Sequence, residues 1–75
     1  MTLTYNVVRR PGGWAVEADS AVVCCYRTLE QAIAQARQLG RDGWETQGFP
    51  SLVQVETVHG AIRTEVAFGE EQHAN

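Results

Sequence analysis

The chain contains no lysine. All six basic residues are arginines (Arg9, Arg10, Arg27, Arg37, Arg41 and Arg63), set against nine acidic residues for a formal net charge of −3 at pH 7. Without lysine there is no P-loop, and Gly12-Gly13, Gly40, Gly43 and Gly48 lack the spacing of a dinucleotide-binding fingerprint, so nucleotide binding by either route is excluded. No apolar run reaches the roughly 18 residues of a membrane span. Met1 to Arg10 alternates polar and apolar residues and has no apolar signal-peptide core, so a cytoplasmic protein is expected. Histidine is scarce: His59 beside Gly60 reads as a turn residue and His73 as part of a tail. No Ser/His/Asp arrangement can be built from these two, and no G-x-S-x-G elbow is present.

Cysteine is equally scarce. Cys24 and Cys25 are the only two and are adjacent. A bridge between neighbours is strained and closes almost no loop, so it adds little stability. A metal site needs about four ligands, usually from two separated pairs. Adjacent side chains in an extended segment point to opposite faces, so the expected arrangement is one buried and one outward thiol. Neither a metal nor another cofactor is expected.

What is present is an ordinary globular composition, 44% apolar, in 75 residues. A chain of this size buries only about 60% of the surface its unfolded form exposes. A single core below about 70–80 residues rarely supplies more than about 3–5 kcal/mol. With no useful disulfide, a second copy of the chain is the favoured supplement, and a homodimer is expected.

Period-two alternation in Leu3-Thr4-Tyr5-Asn6-Val7 predicts a strand over residues 2–9, with Leu3, Tyr5 and Val7 on one face. Pro11-Gly12-Gly13 breaks it, and Trp14-Ala15-Val16-Glu17-Ala18 follows with Trp14, Val16 and Ala18 together, so the two segments read as a hairpin. After a weak Asp19-Ser20 turn signal, Ala21 to Tyr26 is apolar and β-prone. It is either a third short strand or the second resuming after a kink.

Thr28 stands three residues before Gln31, the spacing of a capping box. Leu29, Ala32, Ile33, Ala36 and Leu39 then form one helical stripe, Gly40 reads as the helix stop, and Glu30 and Arg37 suit the helix dipole. Residues 41–50 hold Gly43, Gly48 and Pro50 and read as a long loop carrying Trp44 and Phe49. Trp44 is then either a flap over the core or an interface anchor. Residues 51–58 and 61–68 form a second hairpin around His59-Gly60. In it Val53, Val55 and Thr57 alternate with Leu52, Gln54, Glu56 and Val58, and Ile62, Thr64, Val66 and Phe68 with Arg63, Glu65 and Ala67. Residues 70–75 read as a polar tail.

Tyr5-Asn6-Val7-Val8, Gly13-Trp14-Ala15-Val16, Thr28 through Ala32-Ile33 and Ala36-Arg37, Gly60-Ala61-Ile62-Arg63 and Phe68-Gly69 together resemble a small bacterial family, domain-of-unknown-function family 2188, over roughly residues 5 to 69. The resemblance implies a β-β-α-β-β domain of bacteria or their phages, with no catalytic residues. The chain departs from the family pattern in its Cys24-Cys25 segment and in the aromatic stretch holding Trp44 and Phe49.

The expected fold is therefore one α+β domain over residues 1–69, a four-stranded antiparallel sheet (β-β-α-β-β) with one helix on one face. The other face is expected to mix Val8, Ala15, Leu52, Val58 and Ala67 with polar residues that include Arg63 and Glu65. Arg63 is expected opposite Glu56 as a cross-strand pair, and Glu56 and Glu65 as part of a solvated charged face. The expected function is a non-enzymatic structural or interaction domain that self-associates. The alternative is a nucleic-acid-binding accessory protein using Arg9, Arg10 and Arg63 near Trp14 and Tyr5, against which the net charge stands. A third reading, redox or catalytic use of Cys24 or Cys25, requires an activated thiol. The interaction candidates are Trp44, Phe49, Arg9, Arg10 and Arg63.

Overall fold

The alternation of the first hairpin is realised directly. In a computed structural model, which describes residues 2–18, 21–57 and 59–69, β1 (Leu3–Arg10) pairs antiparallel with β2 (Gly13–Ala18) across a two-residue Pro11-Gly12 turn. Residues 21–26 form a strand of their own, β3 (Ala21–Tyr26), antiparallel to β2. A single helix, α1 (Leu29–Gln47), leads to β4 (Ser51–Glu56) and β5 (Ile62–Phe68). The expected tail with His73, the Asp19-Ser20 turn and Val58 lie outside the described residues.

The sheet is five-stranded and mixed, in the order β3-β2-β1-β4-β5, with β1 and β4 parallel and the other pairs antiparallel. This corrects the expected four-stranded antiparallel sheet. The physical reason lies in chain direction. Two reversals make β3 run the same way as β1. A helix of 19 residues, about 28 Å long, then carries the chain back along the strands. The next strand consequently starts at the end where β1 starts, and β4 lies parallel beside it.

Register defines the two faces. Tyr5 pairs with Ala18 and Val53, and Val7 with Val16 and Val55, so these residues share the side on which α1 lies. Val7, Val16, Val53 and Val55 are essentially inaccessible to solvent and form a valine floor beneath Ala32 and Ala36 of the helix. Each fully buried valine contributes about 1.5–3 kcal/mol by leaving water. Tyr5, Trp14, Tyr26, Leu29, Ile33, Leu39 and Val66 surround this centre, half-buried. The helical stripe read from the sequence thus faces the sheet.

Two bulges interrupt the alternation, one between β2 and β3 beside Val23 and one between β4 and β5 beside Glu65. A bulge gives one strand an extra residue and switches the faces of those beyond it. Val66 pairs with Val53 on the helix side, whereas Thr64 pairs with Gln54 and Ile62 with Glu56 on the open side. Ile62, Thr64, Val66 and Phe68 therefore do not share one face. Arg63, opposite Val55, moves to the helix side, away from the open face expected for it.

Thr28 is the N-cap, its hydroxyl accepting from the Gln31 N–H at 3.2 Å, as the capping signal predicts. The C-terminal half is where sequence and structure part. Residues 41–47 are helical, and the chain leaves the helix only at Gly48, φ 71°, whose N–H reaches the Gly43 and Trp44 carbonyls. Gly40 and Gly43 are contact glycines. A Cβ on Gly40 would stand 3.2 Å from the Phe68 ring and 3.4 Å from Ser51 Cβ. One on Gly43 would stand 3.2 Å from Leu3 Cδ1 and 3.4 Å from Ser51 Oγ. Each glycine costs the helix about 1 kcal/mol relative to alanine, offset by the contact its missing side chain permits. Ser51, buried between them, donates its hydroxyl to the Phe49 carbonyl at 3.2 Å. No helix among the described residues is long and apolar enough to cross a membrane.

Gly40→Val is expected to destabilise the fold by about 1–3 kcal/mol through overpacking against Phe68 and Ser51. Exposed Gln38→Ala should stay within about 0.5 kcal/mol of the parent. Urea unfolding midpoints separate the two, and equal midpoints would show that Gly40 is merely a weak helix residue.

Candidate functional site

The sheet ends in two unlike edges. β3 reads Ala-Val-Val-Cys-Cys-Tyr, with no charge and no proline, and all of it but Tyr26 is exposed. Val22 and Val23 retain 55% and 48% of their accessible surface. Both cysteines are free thiols in water, which corrects the expected one-buried, one-outward arrangement. Cys24 pairs with Val16 and Cys25 with Ala15, but at the outermost strand neither is covered by a further one. The Cys24 thiol lies 3.7 Å from the Cys25 carbonyl. The Tyr26 phenol is held above its ordinary pKa, first by a hydrogen bond with Cys24 and then by burial and the charge the two thiols take on. It therefore stays protonated through the neutral range. The other edge, β5, carries Arg63 and Glu65, joined at 3.0 Å, with Arg37 of the helix 3.8 Å from the same carboxylate.

A second feature lies where β1 turns into β2. Arg9 pairs with Trp14 across the hairpin, and its guanidinium stands 5.1 Å from the ring centroid, a cation–π contact. Trp14 pairs in turn with Tyr26 on β3. Arg10, next along β1, points to the opposite face, where it forms an ion pair with Glu17 and donates to the Arg9 carbonyl at 3.0 Å. Gly13 permits the close crossing, since a Cβ there would collide with the Tyr26 carbonyl oxygen. Arg10, Gly12, Gly13, Trp14, Tyr26 and Arg27 line a solvent-open cavity of about 190 Å³. Arg27 has no ion-pair partner among the described residues.

The candidates singled out from the sequence are dispersed. Arg9 and Arg10 occupy one strand end but opposite faces, and Arg63 lies two strands away on β5. The expected Arg63–Glu56 pair is absent among the described contacts, because Ile62 stands opposite Glu56. Glu56 accepts instead from the Arg9 backbone N–H at 3.3 Å. Glu56 and Glu65 do not face one another, since Glu65 is the bulge residue. Trp44 sits on the helix and not on a loop. A Cβ on Gly69 would stand 2.8 Å from its ring, so Trp44 closes over the end of β5 as a flap. Phe49, just beyond the helix, stays 38% exposed.

The residues that sequence reasoning passed over are Tyr26 and Arg27. Their signal is an aromatic-arginine pair at the end of an apolar run, and it acquires meaning only once β3 pairs with β2. His, Cys, Asp and Glu side chains do not gather in groups of three or more among the described residues.

Gly69 has φ 93° and the Trp44 ring against it, so Gly69→Ala is expected to destabilise by about 1–3 kcal/mol and red-shift the tryptophan emission. An unchanged midpoint and spectrum would place Trp44 elsewhere in solution. No family model, curated protein or solved structure matches the chain.

Proposed function

We propose that this domain is a non-catalytic interaction module that self-associates as a homodimer through β3, edge to edge and antiparallel. The observation that carries this reading is an exposed, uncharged, apolar edge strand. An edge strand presents unpaired N–H and C=O groups and templates another strand unless charges, proline, a bulge or a covering element blunt it. β3 has a bulge at Val23 and neither charge nor proline. Pairing about a two-fold axis sets the same patch against itself. A strand without charged side chains sets no like charges in register, although the chain as a whole carries −3. β5 is the poorer surface, because pairing there must accommodate the Arg63–Glu65–Arg37 cluster. Dimerisation also adds buried apolar surface to a core made of valines and alanines, the supplement a chain of this size needs. Membership of domain-of-unknown-function family 2188 belongs to the same proposal and adds no activity to it.

Sedimentation velocity is expected to show a species of twice the 8.3 kDa chain mass at micromolar concentration. Val23→Lys is expected to return it to monomer without loss of secondary structure, while Ile62→Lys on the other edge leaves the dimer intact. A parent protein that stays monomeric at about 100 μM, a level at which even weak specific pairs form, overturns the proposal. So does a Val23→Lys variant that still dimerises.

A further inference from the structure

The cavity at the β1–β2 turn holds a thiol that self-association through β3 does not use. We propose that Cys25 is a site of mixed-disulfide formation with small disulfides that carry carboxylates, and that Arg27 supplies the charge selecting them. Cys24 takes no part.

Register decides which thiol meets the cavity. Cys25 stands opposite Ala15 and Arg10 opposite Gly13, all on the face away from α1, whereas Cys24 stands opposite Val16 on the helix side. Trp14 and Tyr26 also turn their rings to the helix side. Of the two cysteines Cys25 alone lines the cavity, together with Arg10, Gly13 and Arg27. The Cys24 thiol is engaged elsewhere, with the Cys25 carbonyl at 3.7 Å and with the Tyr26 phenol.

Small neighbours keep the Cys25 thiol approachable. Gly13, Ala15 and Glu17 are successive open-face residues of β2. Arg10, opposite the first, is ion-paired to the third, so its side chain runs across Ala15, which is inaccessible to solvent. On the other side of Ala15 lies Cys25, exposed and free of any disulfide.

Charge then selects what approaches. Glu17 offsets the charge of Arg10. Arg27, two residues beyond Cys25, lines the same cavity and has no ion-pair partner among the described residues. A guanidinium so placed attracts a carboxylate on an incoming molecule, at a range that salt shortens. The cavity volume of about 190 Å³ is below the roughly 300–1,000 Å³ of sites that enclose drug-sized ligands, so it admits one short arm of such a molecule.

The step is thiol–disulfide exchange. Cys25 releases its proton to water, and its thiolate attacks one sulfur of the incoming disulfide. A bond forms between that sulfur and Cys25 Sγ, the original S–S bond breaks, and the other half leaves as a thiolate. The incoming disulfide is itself the oxidant.

The test compares oxidised glutathione, which is anionic at neutral pH, with the uncharged 2-hydroxyethyl disulfide, reading adduct formation by intact mass. The Cys24→Ser variant retains Cys25 and the Cys25→Ser variant retains Cys24. At about 20 mM salt, the rate advantage of Cys25 over Cys24 is expected to be about threefold or more larger with oxidised glutathione than with the uncharged reagent. That excess is expected to vanish at about 500 mM salt, where screening is short-ranged. It is also expected to vanish when Arg27→Gln is added, with the circular dichroism unchanged; the salt series gives the same reading without that substitution. No excess at low salt, or an excess that survives either high salt or Arg27→Gln, overturns the proposal. So does a disulfide between two chains in place of the glutathione adduct. Edge-to-edge pairing of β3 leaves the open face uncovered, and oligomeric mass is no part of the readout, so failure here is distinguishable from failure of the self-association proposal.

Discussion

Everything in this fold depends on how near one helix comes to the sheet. The inward side of α1 is built from Ala32, Ala36, Gly40 and Gly43, and beneath it lie Val7, Val16, Val53 and Val55. Small residues above and short branched residues below leave little room between the layers, so a compact core is filled without large side chains. Phe68 and Ser51 meet Gly40, Leu3 and Ser51 meet Gly43, and Trp44 closes over Gly69 at the same end. The inward residues change along the helix, from alanine near the N-terminus to glycine near the C-terminus. Two unfavourable helix residues are retained there because tertiary contact outweighs local propensity.

That economy leaves the outer strands weakly covered. The helix crosses from β3 back to β4, over β2 and β1, so the inaccessible side chains gather on β1, β2 and β4. The two edges then differ in chemistry. β5 is closed by an ion-pair cluster that reaches the helix through Arg37, whereas β3 presents valines and thiols to water. Charge is likewise uneven. An acidic protein carries Arg9, Arg10 and Arg27 at the end where the first hairpin turns and β3 finishes, Arg9 over the Trp14 ring on one face and Arg10 on Glu17 on the other. Surface function on so small a chain is confined to such asymmetries, since the interior is fully used by packing.

Much of the local structure was legible. Alternation in Leu3–Val7 and Trp14–Ala18, the Pro-Gly turn, the Thr28 cap and the Leu29–Leu39 stripe each report a short-range constraint, and each element forms where those residues stand. Gly40 misled, because a glycine at the end of an apolar stripe also signals a helix stop. Nothing in its neighbours in sequence distinguishes a stop from a close contact with Phe68, which is 28 positions away. The bulge at Glu65 was equally silent, and it moved Arg63 to the helix side and left Glu56 opposite Ile62. Arg9 and Arg10, by contrast, face opposite ways through the ordinary alternation of β1.

Residues only a few positions apart already specify an α+β chain with a capped amphipathic helix between β-hairpins, because caps, turns and hydrophobic periods are local. The fifth strand, the parallel β1–β4 pairing, the length of the helix and the side chains that meet at the β1–β2 turn follow from contacts made across the fold. Those outcomes depend on the return path of the chain and on contacts between residues distant in sequence. No local pattern encodes them until the layers are in place.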